Sequence, residues 1–78
     1  MFVYAIKSEV DGRIYVGIAE DVSKRLQQHN YGMSKSTKGF RPWELLYQEL
    51  CDDRVEARKR EKYLKSGIGK QFLKSIVP

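Results

Sequence analysis

Apolar and polar positions along this chain fall into runs that set out its elements one after another. Phe2 to Lys7 (FVYAIK) and Arg13 to Ala19 (RIYVGIA) are two apolar, β-branched and aromatic runs separated by Asp11-Gly12, which predicts a β-hairpin. With Asp11-Gly12 as a two-residue loop, Val10 lies opposite Arg13, Ser8 opposite Tyr15, Ile6 opposite Gly17 and Tyr4 opposite Ala19. Side chains alternate across a strand, so Tyr4 and Tyr15 share a face for any loop with an even number of residues; an odd loop would part them.

Asp21 ends the second run and precedes Val22 to His29, a segment without a breaker, so it reads as the N-cap of a helix of two to three turns. Asn30 to Pro42 (NYGMSKSTKGFRP) has no period and is rich in Gly, Ser, Thr and Lys, as an exposed loop would be. Trp43 to Leu50 (WELLYQEL) is short and apolar enough for a third strand. Asp53-Arg54-Val55-Glu56 has capping-box spacing, predicting a helix from about Arg54 to Ser66 closed by Gly67. A short final helix after Gly69 is expected to pack through Phe72, Leu73 and Ile76. There are no repeats, low-complexity tracts or linkers, and residues 1–78 read as a single α+β domain.

Two helical stripes carry residues that do not belong on an apolar face. Val22, Arg25, Leu26 and His29 fall at i, i+3, i+4 and i+7, and so do Ala57, Arg60, Glu61 and Leu64. Arg25 can snorkel its head to water along its stem, and Glu61 can pair with Arg25 or be solvated within the basic run around it. An inward carboxylate otherwise costs several kcal/mol unless it is paired or holds a cation. One His and one Cys exclude a closed zinc site, whereas one carboxylate with phosphate oxygens and waters suits Mg²⁺.

Composition sharpens the choice only in part. A net charge of +5 and a pI near 9.5 suit a polyanionic partner, nucleic acid or anionic membrane. No run approaches the ~20 apolar residues that span a bilayer, and the N-terminus has no leader pattern, so the expectation is a chain neither secreted nor embedded. Cys51 is the only cysteine, which excludes an internal disulfide, fits a reducing, cytoplasmic compartment, and reads as a free thiol in the core.

In order and spacing, several short motifs together resemble the GIY-YIG nuclease superfamily over Phe2 to Leu73: Phe2-Val3-Tyr4, Tyr15-Val16-Gly17, Arg25-x-x-x-His29-Asn30-x-Gly32, and Ala57-x-x-x-Glu61-Lys62. Phe2-Val3 stands where the family has Gly-Ile, and no asparagine follows Glu61, as it does in several members. The short architecture is most similar to stand-alone members, rather than to the repair excinuclease subunits and homing endonucleases that fuse this domain to other modules. The resemblance implies a three-stranded antiparallel sheet flanked by helices, with the site on one sheet face. It places Tyr4 and Tyr15 in the site, with Tyr15 or a water it orients starting in-line attack and His29 accepting the tyrosine's proton. Arg25 would hold the scissile phosphate, Glu61 would bind one Mg²⁺ or Mn²⁺, and Gly17 would let backbone and phosphate approach.

On this basis the expected activity is metal-dependent cleavage of nucleic-acid phosphodiester bonds, DNA ahead of RNA, with no membrane partner. Lys24, Asn30, Lys35, Lys38, Arg41 and the basic residues from Arg58 to Lys65 are candidates for phosphate contact. Tyr31, Phe40 and Trp43 are candidates for stacking on a base, although packing suits Trp43 better. Two other readings stay open: a catalytically weak nucleic-acid-binding module aimed by a partner protein, and a basic protein-interaction domain.

Overall fold

The N-terminal hairpin forms, and its first strand becomes the centre of the sheet. In the computed structural model, which describes residues 1–78, β1 (Phe2–Ser8) lies between β2 (Ile14–Ala19) and β3 (Trp43–Leu50) and is antiparallel to both. Helix α1 (Val22–Asn30) covers one sheet face, while α2 (Arg54–Lys65) and α3 (Gly67–Ser75) cover the other. The core is split in the same way. Val3, Ala5 and Val16 pack with Leu64 and Leu73, and Tyr4, Ile6 and Trp43 pack with Val22. This is the α+β architecture that the motif order implied. No helix is long and apolar enough to cross a membrane.

The hairpin register differs from the expected one by two residues. Tyr4 stands opposite Gly17 and Ile6 opposite Tyr15, so the loop is Glu9 to Gly12 rather than Asp11-Gly12 alone. A two-residue loop of this kind needs positive φ at both positions, and only Gly12 has it, at 78°. The longer loop is held locally: the Arg13 backbone N–H and Nε both donate to the Asp11 carboxylate, and the Val10 N–H donates to Ser8 Oγ at 3.1 Å. Four residues is still an even number, so Tyr4 and Tyr15 do share a face.

Both aspartate caps form. The Asp21 carboxylate accepts from Lys24 N at 3.0 Å, and the Asp53 carboxylate accepts from Glu56 N at 2.9 Å. Gly67, expected to close α2, instead begins α3. Ser66 serves both helices: its backbone N–H donates to Tyr63 O, and its hydroxyl accepts from Gly69 N at 3.3 Å. The last helix therefore starts three residues early, and Leu73 alone of its expected anchors is buried; Phe72 lies edge-on to Tyr47 and Ile76 stays exposed.

Gly69 is what lets α3 turn so sharply onto α2. A Cβ there would sit 2.2 Å from Tyr63 O and 2.5 Å from Leu64 Cα, whereas one at Gly67 would meet nothing within 4 Å. Gly69→Ala should therefore destabilise the fold by about 1–3 kcal/mol, as overpacking against backbone does. Gly67→Ala should be neutral or stabilising, by up to about 1 kcal/mol. Urea unfolding of the two variants beside the wild type measures both.

Candidate active site

The two buried members of the site are polar and must pair inside the protein. Tyr4, from β1, is 1% exposed and His29, from the last turn of α1, is 0% exposed. The Tyr4 hydroxyl lies 2.8 Å from His29 Nε2, and His29 Nδ1 lies 2.8 Å from Thr37 Oγ1. The Tyr4 hydroxyl has no other acceptor, so it donates to Nε2. Nδ1 then carries the proton and donates to Thr37, whose hydroxyl in turn donates to Ser34 O at 3.4 Å. Burial, and then the Arg25 charge, lower the pKa of His29, so the ring favours its neutral form above pH 6.5.

Gly17 makes the contact possible. It sits opposite Tyr4 in the sheet, and a Cβ at that position would fall 2.8 Å from the Tyr4 hydroxyl. The glycine expected to admit a phosphate thus makes room for a phenol. Burial first, and then the neighbouring Tyr15 phenol, raise the Tyr4 pKa to about 12. The Arg25 guanidinium pulls the other way and does not prevail, so Tyr4 stays protonated. The Glu61 charge also acts on it, which brings a residue of α2 into the same electrostatic field.

The remaining site residues come from β2, an edge strand, and from α1 and α2 on the two faces of the sheet. Tyr15 is half-buried, its ring edge-on to His29 at 5.0 Å, and its hydroxyl makes no hydrogen bond within the chain and is not sealed from water. Arg25 is half-buried and donates from Nη1 to Gln28 Oε1 at 2.9 Å. Glu61 keeps only 17% of its side chain exposed and pairs with Lys65 at 3.3 Å, one turn on, rather than with Arg25. No three His, Cys, Asp or Glu side chains gather into a metal cage. The oxygen donors open to a ligand are the Glu61 carboxylate and the Tyr15 phenol, a set that fits a hard cation completing its shell with water and phosphate.

The segment from Asn30 to Pro42 is tied down more tightly than its composition suggests. The Asn30 carboxamide is committed to Trp43, accepting from its N–H at 2.6 Å and donating to its carbonyl at 3.0 Å, so it clips α1 to β3 rather than facing a substrate. Trp43 is buried, as packing required, and its indole donates to Thr37 O at 2.8 Å. Ser8 Oγ donates to Phe40 O at 2.6 Å, and the Arg13 guanidinium covers the Phe40 ring at 3.4 Å. Gly32, at φ 80°, ends α1, with Gly32 N and Met33 N donating back to His29 O and Gln28 O. Lys24 and Lys38 stay exposed and free to meet anions. The residue missed by sequence reasoning is Thr37, since a threonine in a Ser/Lys/Gly-rich loop carries no mark of burial.

A family profile described as the GIY-YIG catalytic domain matches residues 1–72. The chain is 42% identical over 76 residues to UPF0213 proteins of Staphylococcus saprophyticus and Staphylococcus aureus, covering 96% of this chain and 92% of each relative. It is also similar to the solution NMR structure of a UPF0213 protein from Bacillus halodurans, with a TM-score of 0.56 and 31% identity over 96% of this chain and 82% of that one.

The Tyr4–His29 pair makes stability depend on pH at both ends. Tyr4, raised from 10.0 to about 12, stabilises the fold fully below pH 10 and ceases to as pH rises toward 12, a loss of about 3 kcal/mol. His29, lowered from 6.5, stabilises it above pH 6.5 and ceases to as pH falls below that value. In EDTA, the wild-type stability curve should form a plateau between these limits, measured by urea unfolding. Tyr4→Phe should lose about 1–3 kcal/mol on the plateau, since it leaves Nε2 unpaired, and should lack Tyr4's share of the alkaline decline. Tyr47, whose hydroxyl donates to Glu49, contributes to both curves and cancels in the difference.

Proposed function

Given that this chain belongs to the GIY-YIG family, a family of nucleases, we propose that residues 1–78 form one domain that hydrolyses nucleic-acid phosphodiester bonds, DNA before RNA, with a divalent ion. The observation that carries the reading is the convergence of Tyr4, Tyr15, Arg25, His29 and Glu61 from four separate elements and both faces of the sheet: the Tyr4 phenol bonds His29, the Tyr15 ring lies edge-on to His29, and the Arg25 and Glu61 charges both act on Tyr4.

In this reading Arg25 holds the scissile phosphate and meets the negative charge that develops on it, a preorganised donor whose removal costs about 10²–10³ in rate. Tyr15, with its hydroxyl uncommitted, orients the attacking water. The proton path runs through Tyr4 to His29, not from Tyr15, because the hydrogen bond joins those two. The phenol stays protonated until added positive charge offsets its burial. Glu61 would hold Mg²⁺ or Mn²⁺, which when bound polarises the phosphate and supports the leaving oxygen. Lys24 and Lys38 would meet flanking phosphates. A second reading, a binding module aimed by a partner protein, is favoured by one feature: both nitrogens of His29 are engaged and Tyr4 is held protonated, leaving no free base in the resting site.

The test is cleavage of labelled single-stranded, duplex and branched DNA and of RNA with Mg²⁺ or Mn²⁺. Glu61→Gln should abolish metal-dependent cutting while retaining nucleic-acid binding, and Arg25→Ala should slow it by roughly 10²–10³. Binding without cutting on every substrate would select the second reading.

A further inference from the structure

On the sheet face away from Tyr4, a cavity of about 480 Å³ opens between the hairpin and helices α2 and α3. Its volume falls within the range of small-molecule sites, about 300–1,000 Å³. Ile14, Val16, Leu64 and Leu73 form an apolar floor, and every charged residue on its walls is a lysine or arginine. Lys7 and Lys65 share acids outside the cavity, with Glu44 at 3.5 Å and Glu61 at 3.3 Å. Lys70 and Lys74, one turn apart on α3, make neither an ion pair nor a side-chain hydrogen bond and add their full charge to the rim. Both sit where no part of the candidate active site uses them.

An apolar floor under unpaired cations suits a ligand with a flat, weakly polar body and more than one anionic group. We propose that this cavity is a nucleotide subsite that takes one base of a nucleic-acid strand on its floor and the adjoining phosphates on Lys70 and Lys74. Its position supports a strand as the occupant. Residue 15 borders the cavity from β2 while its ring faces His29 on the other side of the sheet, and Lys65 lies between the cavity and the Glu61 carboxylate it pairs with. A strand crossing the free edge of β2 would place one phosphate at Arg25 and a neighbouring nucleotide here. The proposal rests on the reading that the chain acts on nucleic acid, not on cleavage itself. It gives α3, which supplies no residue to the chemistry, a part in substrate binding.

The test is an NMR titration of the full chain, labelled at methyl groups and backbone amides, with hexathymidylate, with thymidine 5′-monophosphate and with inorganic phosphate. Hexathymidylate should shift the methyl signals of Ile14, Val16, Leu73 and Val77, the mononucleotide should shift the same signals more weakly, and phosphate alone should leave them in place. Lys70→Glu and Lys74→Glu should each weaken hexathymidylate binding severalfold, with Arg54→Glu, the same charge change outside the cavity, much closer to wild type. Shifts confined to the Tyr15 and Arg25 side, equal losses in all three variants, a response to the mononucleotide without one to the strand, or no response at all would overturn the subsite. An inactive chain that shows the predicted shifts loses the nuclease reading and keeps the subsite; an active chain without them loses the subsite alone.

Discussion

Tyr4 and His29 are both polar and both sealed from water, so each must find its partner inside the protein, and the rest of the site is arranged around that requirement. The phenol reaches the imidazole because residue 17 has no side chain in its way. The second ring nitrogen is satisfied by Thr37, and Thr37 is held in place by a loop that Trp43, Asn30 and Ser8 tie to the sheet. A short domain with little core to spare thus fixes a 12-residue connection through hydrogen bonds rather than through apolar packing. The same chain of bonds sets the orientation of α1, and with it the place of Arg25.

The electrostatic consequence is a site that rests in its protonated, neutral form. Desolvation outweighs the nearby guanidinium at Tyr4, and the same guanidinium adds to desolvation at His29, so one cation acts in opposite senses on two hydrogen-bonded groups. What remains available to a ligand is the outer part: the Tyr15 hydroxyl, the Arg25 head and the half-buried Glu61, none of them sealed from water. The buried pair is the frame, and the exposed trio is the surface that a phosphate would meet.

Much of this was legible in the residues, and the misses have physical causes. Strand parity survived a register error, because side-chain direction depends only on whether the loop is even, whereas register depends on φ at Asp11, which no pattern reveals. The caps at Asp21 and Asp53 were readable because capping is local chemistry. Gly67 was misassigned because two glycines lie two residues apart, and the one that matters, Gly69, is required by contact between helices. Asn30 stood in the motif for a reason the motif does not state, since its carboxamide is consumed by the Trp43 backbone. The inward stripe of α2 was correctly placed, but the partner of Glu61 was not, because a lysine one turn along the same helix was closer than an arginine across the fold. Thr37 could have been found only by asking what satisfies the far nitrogen of a buried histidine.

The most direct test of the frame uses the fact that His29 is the only histidine in the chain, so its imidazole nitrogens give one set of signals. Long-range ¹⁵N–¹H correlation spectra of the wild type, taken between pH 7 and pH 9, should show a single neutral tautomer with the proton on Nδ1 and Nε2 unprotonated, and replacing Thr37 with valine should disturb that state. A proton resident on Nε2, or rapid averaging between tautomers as in a solvent-exposed histidine, would contradict the account of how this site is built.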